Sequence, residues 1–266
     1  MILGYGKVIS AGRLVQAQST NQKCSLACLT LSDCILAYLN PENDCFLYNY
    51  SETTSLTVVK TTSADGHFVS FKTALDSDTC PVSRDSVNLT VTVGVDIYQW
   101  TQTGTGWYFE KCVDDWKRFE RADSVTVCMQ MFNMTYGSTL AEARQLCAEK
   151  GYVLSGVGSV EECQWFRAKI LEQTSEKFHG YWIDGERTCP EDNSKCNNFI
   201  WTDGYTTGNA SLVANNVYFT FVDHENPENC LVISRNIWFS QTLNDVSCEG
   251  SIYKMGIGAI CGYKLN

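Results

Sequence analysis

Hydrophobic and polar positions repeat with two different periods along this chain, and the change of period divides it. From Thr20 to Leu31 the run TNQKCSLACLTL has helical spacing, with Cys24 and Cys28 four residues apart on one face. The next stretch predicts a hairpin: Cys34 opens ILAYL, the turn Asn40-Pro41-Glu42-Asn43 reverses the chain, and Cys45 begins FLYNY. Nested pairing of Cys24 with Cys45 and Cys28 with Cys34 is the simplest geometry for a helix beside that hairpin. Two further strands, TVVKTT and HFVSFK, are split by a turn at Asp65-Gly66. Val87, Leu89, Val91, Val93 and Val95 then alternate with Asn88, Thr90, Thr92 and Gly94, which is the pattern of a half-buried strand. Gly104-Thr105-Gly106 turns the chain into WYFEKC, so this stretch predicts a β-ribbon that belongs to, or leans on, the domain after it.

From Ser138 the period becomes that of a helix. Leu140, Ala143 and Cys147 share a face, Thr139 and Glu142 form a capping box, and Gly151 stops the helix. A second helix comes next, with Ser159 as its cap, Glu162 completing the box, and Val160, Cys163, Phe166 and Ile170 as the buried stripe. Beyond Lys177 the pattern is short strands and loops: GYWIDG, NFIWTDG, CLVISR and AICGYK. Helices followed by short strands indicate an α+β fold class, not a parallel α/β sheet.

Composition narrows the function. The 266 residues suit about two domains of ordinary size. A formal charge of −10 would repel phosphate backbones, so nucleic acid is excluded as a partner. No window approaches the length of apolar sequence that a transmembrane helix needs. Fourteen cysteines point to a disulfide-rich framework made in an oxidising compartment. Four glycosylation sequons, at Asn49, Asn88, Asn133 and Asn209, agree with a secreted, extracellular glycoprotein. The opening MILGYGKVISAG has no signal-peptide core, so either the leader lies upstream of this numbering or the protein is not secreted.

The opening ILGYGKV, the C-x3-C-x5-C-x10-C run and the closing HFVSFK together resemble the PAN, or apple-like, domain in the variant found at the front of many nematode secreted proteins. The resemblance covers residues 1–75 and implies a disulfide-stapled helix on a small sheet that binds protein or carbohydrate. Residues 76–111 read as linker and β-ribbon. Residues 112–266 resemble a C-type lectin-like domain along their whole length. YGSTLAEARQLCAEKGYVLSGV resembles that family's first helix and exit strand, and YWIDG its Trp-Ile-Gly-Leu signature, with Asp184 where glycine is commoner. FIWTDG opens the long loop, CLVIS resembles the strand after it, LNDVSC resembles Trp-Asn-Asp-x-x-Cys, and AICGYK looks like the closing strand. The resemblance implies bridges from Cys147 to Cys261 and from Cys230 to Cys248, an N-terminal bridge from Cys112 to Cys128, and a local loop closed by Cys189 with Cys196. Cys80 and Cys163 are left over and pair only by elimination.

The same resemblance implies carbohydrate binding through the long loop, possible calcium as the cofactor, a glycan or glycoprotein as the partner, and a part in innate immune recognition. Asn244 and Asp245 stand where the family places two calcium ligands, and Glu228 matches a third position. The loop tripeptide Asn226-Pro227-Glu228 sits directly against Cys230, so Glu228 serves either the tripeptide or the third position. Asp203, Asp223 and Glu225 are candidates to compensate, and Asn-Asp is equally a turn dipeptide that needs no metal. Trp238 and Tyr218 are the expected exposed platforms for a sugar ring, whereas Trp182 and Trp201 belong to core motifs. Enzyme signatures are absent: His224-Glu225 lacks a second histidine four residues on, and Ser159 lacks a nucleophile elbow. The expectation is a binding protein, with calcium-dependent sugar recognition or a metal-free protein interaction module as the two forms it takes.

Overall fold

The computed structural model describes residues 1–10, 12–74, 87–93, 96–135, 137–173, 178–188, 196–219, 227–236, 240–249 and 256–265. The chain divides into two compact units, Met1–Val113 and Asp114–Asn266.

The first unit contains β1 (Ile2–Val8), β2 (Arg13–Gln16), α1 (Asn21–Thr30), β3 (Cys34–Leu39), β4 (Cys45–Asn49), β5 (Ser55–Lys60) and β6 (Phe68–Phe71), followed by β7 (Thr90–Val93), β8 (Asp96–Gln99), β9 (Thr101–Thr103) and β10 (Gly106–Glu110). Its main sheet is antiparallel in the order β2-β4-β3-β6-β1-β5-β10-β9, and β7 pairs with β8. Thr20 caps α1, its side chain accepting the Lys23 amide at 3.4 Å. Cys24 and Cys28 face inward and bridge to Cys45 and Cys34, which pins the helix to the β3–β4 hairpin. Asn43 closes that hairpin's turn at φ 66°, a conformation that Asn tolerates better than most residues.

Here the ribbon differs from expectation. β10 pairs with β5, setting Trp107 opposite Val58, and so extends the first unit's own sheet. Leu89, Val91, Trp100, Trp107 and Phe109 are buried with Leu36, Val58, Val69 and Phe71 in one core, where Phe71 and Trp100 meet edge to face at 4.9 Å. Burying those large apolar side chains decides the matter, at roughly 1.5–3 kcal/mol each.

The second unit contains β11 (Lys117–Glu120), β12 (Thr126–Asn133), α2 (Leu140–Glu149), β13 (Val153–Leu154), α3 (Val160–Gln173), β14 (Phe178–Arg187), β15 (Phe199–Ile200), β16 (Val217–Tyr218), β17 (Cys230–Asn236), β18 (Leu243–Val246) and β19 (Gly256–Lys264). The sheet runs β11-β12-β19-β14-β17-β18-β16, with β13 on β19 and β15 on β14; the β14–β19 and β16–β18 pairs are parallel. Mixed helix and strand content with disulfides makes the protein α+β. Cys147 on α2 bridges to Cys261 on β19, and Cys230 at the start of β17 bridges to Cys248 beyond β18. Cys112, Cys128 and Cys196 are also disulfide-bonded, while Cys80 and Cys189 lie outside the described residues.

Two expectations are corrected in this unit. Cys163 is a free thiol, buried on α3 among Phe166, Ile170 and Ile183, and burial pushes its pKa up to about 12. Pairing by elimination fails for it. At the start of α3 the Ser159 hydroxyl accepts the Glu162 amide at 3.2 Å, but the Glu162 carboxylate does not complete a box with Ser159. It accepts the Gly158 amide at 2.8 Å and pairs with Arg121 through two bonds of 2.8 Å. The α2 box between Thr139 and Glu142 is complete.

Candidate functional site

The long loop leaves β15 and returns towards β17, and the sequence folds its described first half into a fixed platform. Trp201 donates from Nε1 to the Gly208 carbonyl at 2.9 Å, and Gly208 turns the chain at φ 69°. Asp203 is buried and accepts the amides of Gly156, Tyr205 and Thr206 at 2.8–3.1 Å. Its carboxylate is therefore spent on the loop itself, and Asp203 is not a spare calcium ligand; Asp223 and Glu225 lie outside the described residues. Burial raises the Tyr205 phenol above its ordinary pKa, and its hydroxyl donates to Ser155 Oγ at 2.9 Å. Ser211 donates to the Val157 carbonyl at 2.8 Å, and Asn216 donates from Nδ2 to the Ser211 carbonyl at 2.7 Å.

Asp184, the departure from glycine in YWIDG, has a specific task. It accepts Thr202 Oγ1 at 2.8 Å and the Asp203 amide at 3.1 Å, and it receives Arg144 of α2 at 3.0 Å. Gly185 is next at φ 128°, where the register of β14 against β17 shifts. A Cβ there would stand 2.8 Å from Leu231 Cδ1 and 3.0 Å from the Trp201 ring, so the position requires glycine.

The predicted ligand residues are only partly brought together. Asn244 and Asp245 lie in β18, with Tyr218 of β16 paired beside Asn244. Tyr218 and Glu228 are half-buried, and Asn226 and Trp238 lie outside the described residues. Asn244 is 9% exposed, and its Oδ1 is buried with no hydrogen-bond partner among the described residues. Asp245 is fully buried and ion-paired with Arg187 Nη2. The same guanidinium donates from Nη1 to the Cys196 carbonyl at 2.7 Å and lies 4.9 Å from the Phe199 ring centre and 5.4 Å from that of Phe219.

Among the described residues that arrangement does not fit calcium. The ion takes six to eight oxygens, and the one fully buried carboxylate of the expected set already faces a cation. No cluster of three or more His, Cys, Asp or Glu side chains placed to hold a metal occurs among the described residues. Sequence reasoning missed Arg187, because its partner is 58 residues away and the run GYWIDGER carries no local sign of it.

Of the sequon residues, Asn88, Asn133 and Asn209 are exposed and Asn49 is half-buried in β4. Asn133 Oδ1 accepts the Tyr181 hydroxyl. No helix among the described residues is long and apolar enough to cross a membrane.

Among solved structures, the chain is similar to herring type II antifreeze protein, at 21% identity over 58% of this chain and 100% of that one, with a TM-score of 0.35. It is also similar to the carbohydrate-recognition domain of the mouse scavenger receptor C-type lectin, at 18% identity over 58% of this chain and 98% of that one, TM-score 0.34. The carbohydrate-recognition domain of cow CD23, solved in the presence of a GlcNAc2Man3 oligosaccharide, matches at 19% identity over 59% of this chain and 98% of that one, TM-score 0.36. No curated protein matches the chain. Residues 1–73 match the model of the PAN-like domain family.

Proposed function

We propose that this is a secreted, non-enzymatic recognition glycoprotein whose second unit binds a glycan, free or on a glycoprotein, beside β18 without calcium. The observation that carries the reading is Asn244 Oδ1, a buried acceptor with no partner among the described residues, beside half-buried Tyr218. An unsatisfied buried carbonyl costs about 1–3 kcal/mol, and a ligand hydroxyl donated to it recovers that. Tyr218 supplies an aromatic surface for a sugar ring, and Glu228 is a further acceptor two residues before Cys230. The motif order from YGSTLAEARQ to AICGYK, together with the Cys147–Cys261 and Cys230–Cys248 bridges, supports a lectin-like loop presented by a laced scaffold.

Disulfides and exposed sequons at Asn88, Asn133 and Asn209 support an extracellular, glycosylated protein. Recognition of foreign glycans in host defence is the role the resemblance implies. Two residues an enzyme reading would use have structural tasks: Ser159 caps α3, and His67 Nδ1 is hydrogen-bonded to Tyr38 Oη at 2.7 Å; His224 and Glu225 lie outside the described residues. A glycan array run with calcium and with chelator tests the reading. Binding should persist in chelator and fall at least tenfold in Asn244→Ala, about 1.4 kcal/mol or more. Binding that vanishes with chelator, or a blank array, overturns it.

A further inference from the structure

We infer that Arg187 is the resident cation of the second unit, holding the base of the long loop in place of a divalent ion and keeping one out. This rests on the preceding reading only for the location of the binding edge, because the loop's dependence on Arg187 is measurable with no glycan present.

The guanidinium is engaged through both terminal nitrogens and against two aromatic rings. Asp245 of β18 faces Nη2, the Cys196 carbonyl takes Nη1, and the rings of Phe199 and Phe219 lie over its plane. Phe199 belongs to β15, just before the loop, and Phe219 comes directly after β16 within it. One side chain therefore ties β14, β15, β18 and the loop residue Phe219 together. The side chains of Arg187 and Asp245 are 2% and 0% exposed, so water does not screen their charges. A calcium ion reaching Asp245 would meet the guanidinium within a few ångströms in a low-dielectric setting, where like charges repel strongly. Lysine would not serve equally, since an ammonium has neither a plane to lay on two rings nor a fork for two acceptors.

The test uses the full chain and reads thermal unfolding together with amide exchange of residues 201–219 by mass spectrometry. Wild-type protein should give the same midpoint and the same loop exchange in millimolar calcium and in chelator. Arg187→Ala leaves a buried carboxylate alone and should lower the midpoint by about 10 °C, with faster exchange across the loop. Methylguanidinium should restore part of that midpoint, beyond a sodium chloride control of equal ionic strength, and should leave the wild type unchanged. Should Arg187→Ala not fold, Arg187→Lys keeps the charge without the plane and should still speed loop exchange. A wild-type midpoint that rises with calcium, a folded Arg187→Ala that methylguanidinium does not rescue, or loop exchange unchanged in Arg187→Lys overturns the inference. A blank glycan array with these results intact would overturn only the choice of ligand.

Discussion

Removing the two disulfides of the second unit separately should reveal how unequally they stabilise it. Cys147–Cys261 spans 114 residues and Cys230–Cys248 spans 18. In the chain-entropy account, a bridge restricts the unfolded ensemble by an amount that grows with the logarithm of the loop it closes. The expected contributions are about 4.8 kcal/mol for the long bridge and about 3.2 kcal/mol for the short one. The paired replacement Cys147→Ala with Cys261→Ala should therefore cost about 1.6 kcal/mol more than Cys230→Ala with Cys248→Ala. Packing pushes the same way, since Cys147 and Cys261 are both fully buried whereas Cys248 is half-buried. Hydrogen exchange of peptides from 114–266 isolates this unit from the first, and the slowest amides of β14 and β17 report its global opening free energy. A short-bridge variant that lost as much stability as the long-bridge variant would show that native-state strain or residual unfolded structure, not loop closure, governs these bridges.

Arg121→Met should destabilise the second unit by about 3–5 kcal/mol, because it strands the Glu162 carboxylate, whose side chain is 2% exposed. Arg121→Met combined with Glu162→Leu should recover most of that in urea unfolding, and a single-variant loss under about 1 kcal/mol would refute the pair's importance. Cys163 should resist thiol reagents in the native protein and react once unfolded. With its folded pKa raised by burial to about 12, the unfolded chain releases this proton first. Stability should accordingly be intact at neutral pH and fall by about 1.4 kcal/mol per pH unit from about pH 8.5 upward, a slope that Cys163→Ala removes. Gly185→Ala combines a φ of 128° with a 2.8 Å clash on Leu231 and should cost about 2 kcal/mol or more in the same urea assay.

What the sequence made legible was whatever depends on near neighbours. The nested bridges of α1 come from the spacing of Cys24, Cys28, Cys34 and Cys45, and the Thr139–Glu142 box is a four-residue pattern. The allegiance of β10 was not legible, because Trp107 finds Val58 across roughly fifty residues and alternation alone does not name a partner strand. The candidate site divides in the same way. Asn244 and Asp245 were visible as oxygen donors, but whether a carboxylate serves a metal or a salt bridge depends on what stands opposite it. For Asp245 that is an arginine from the far end of β14.

The same pattern recurs around the loop and explains how an acidic chain presents a rigid edge. Arg121 joins Glu162 on α3 to Thr206 at 2.8 Å, and Arg144 on α2 joins Asp184 while reaching Thr202 Oγ1 at 3.3 Å. Arg187 joins Asp245 to Cys196. Three arginines, one just after β11, one on α2 and one ending β14, thus each connect a carboxylate to a different stretch of the loop or its approach. Two of the three pairs are almost wholly buried, with side-chain exposures of 5% and 2% in one and 2% and 0% in the other, so dissolved salt screens them weakly. If the inference about Arg187 holds, the described part of the loop should keep its shape whatever the surrounding calcium or ionic strength. Ligand affinity in the proposed site should then vary with salt only as far as the ligand's own charge requires.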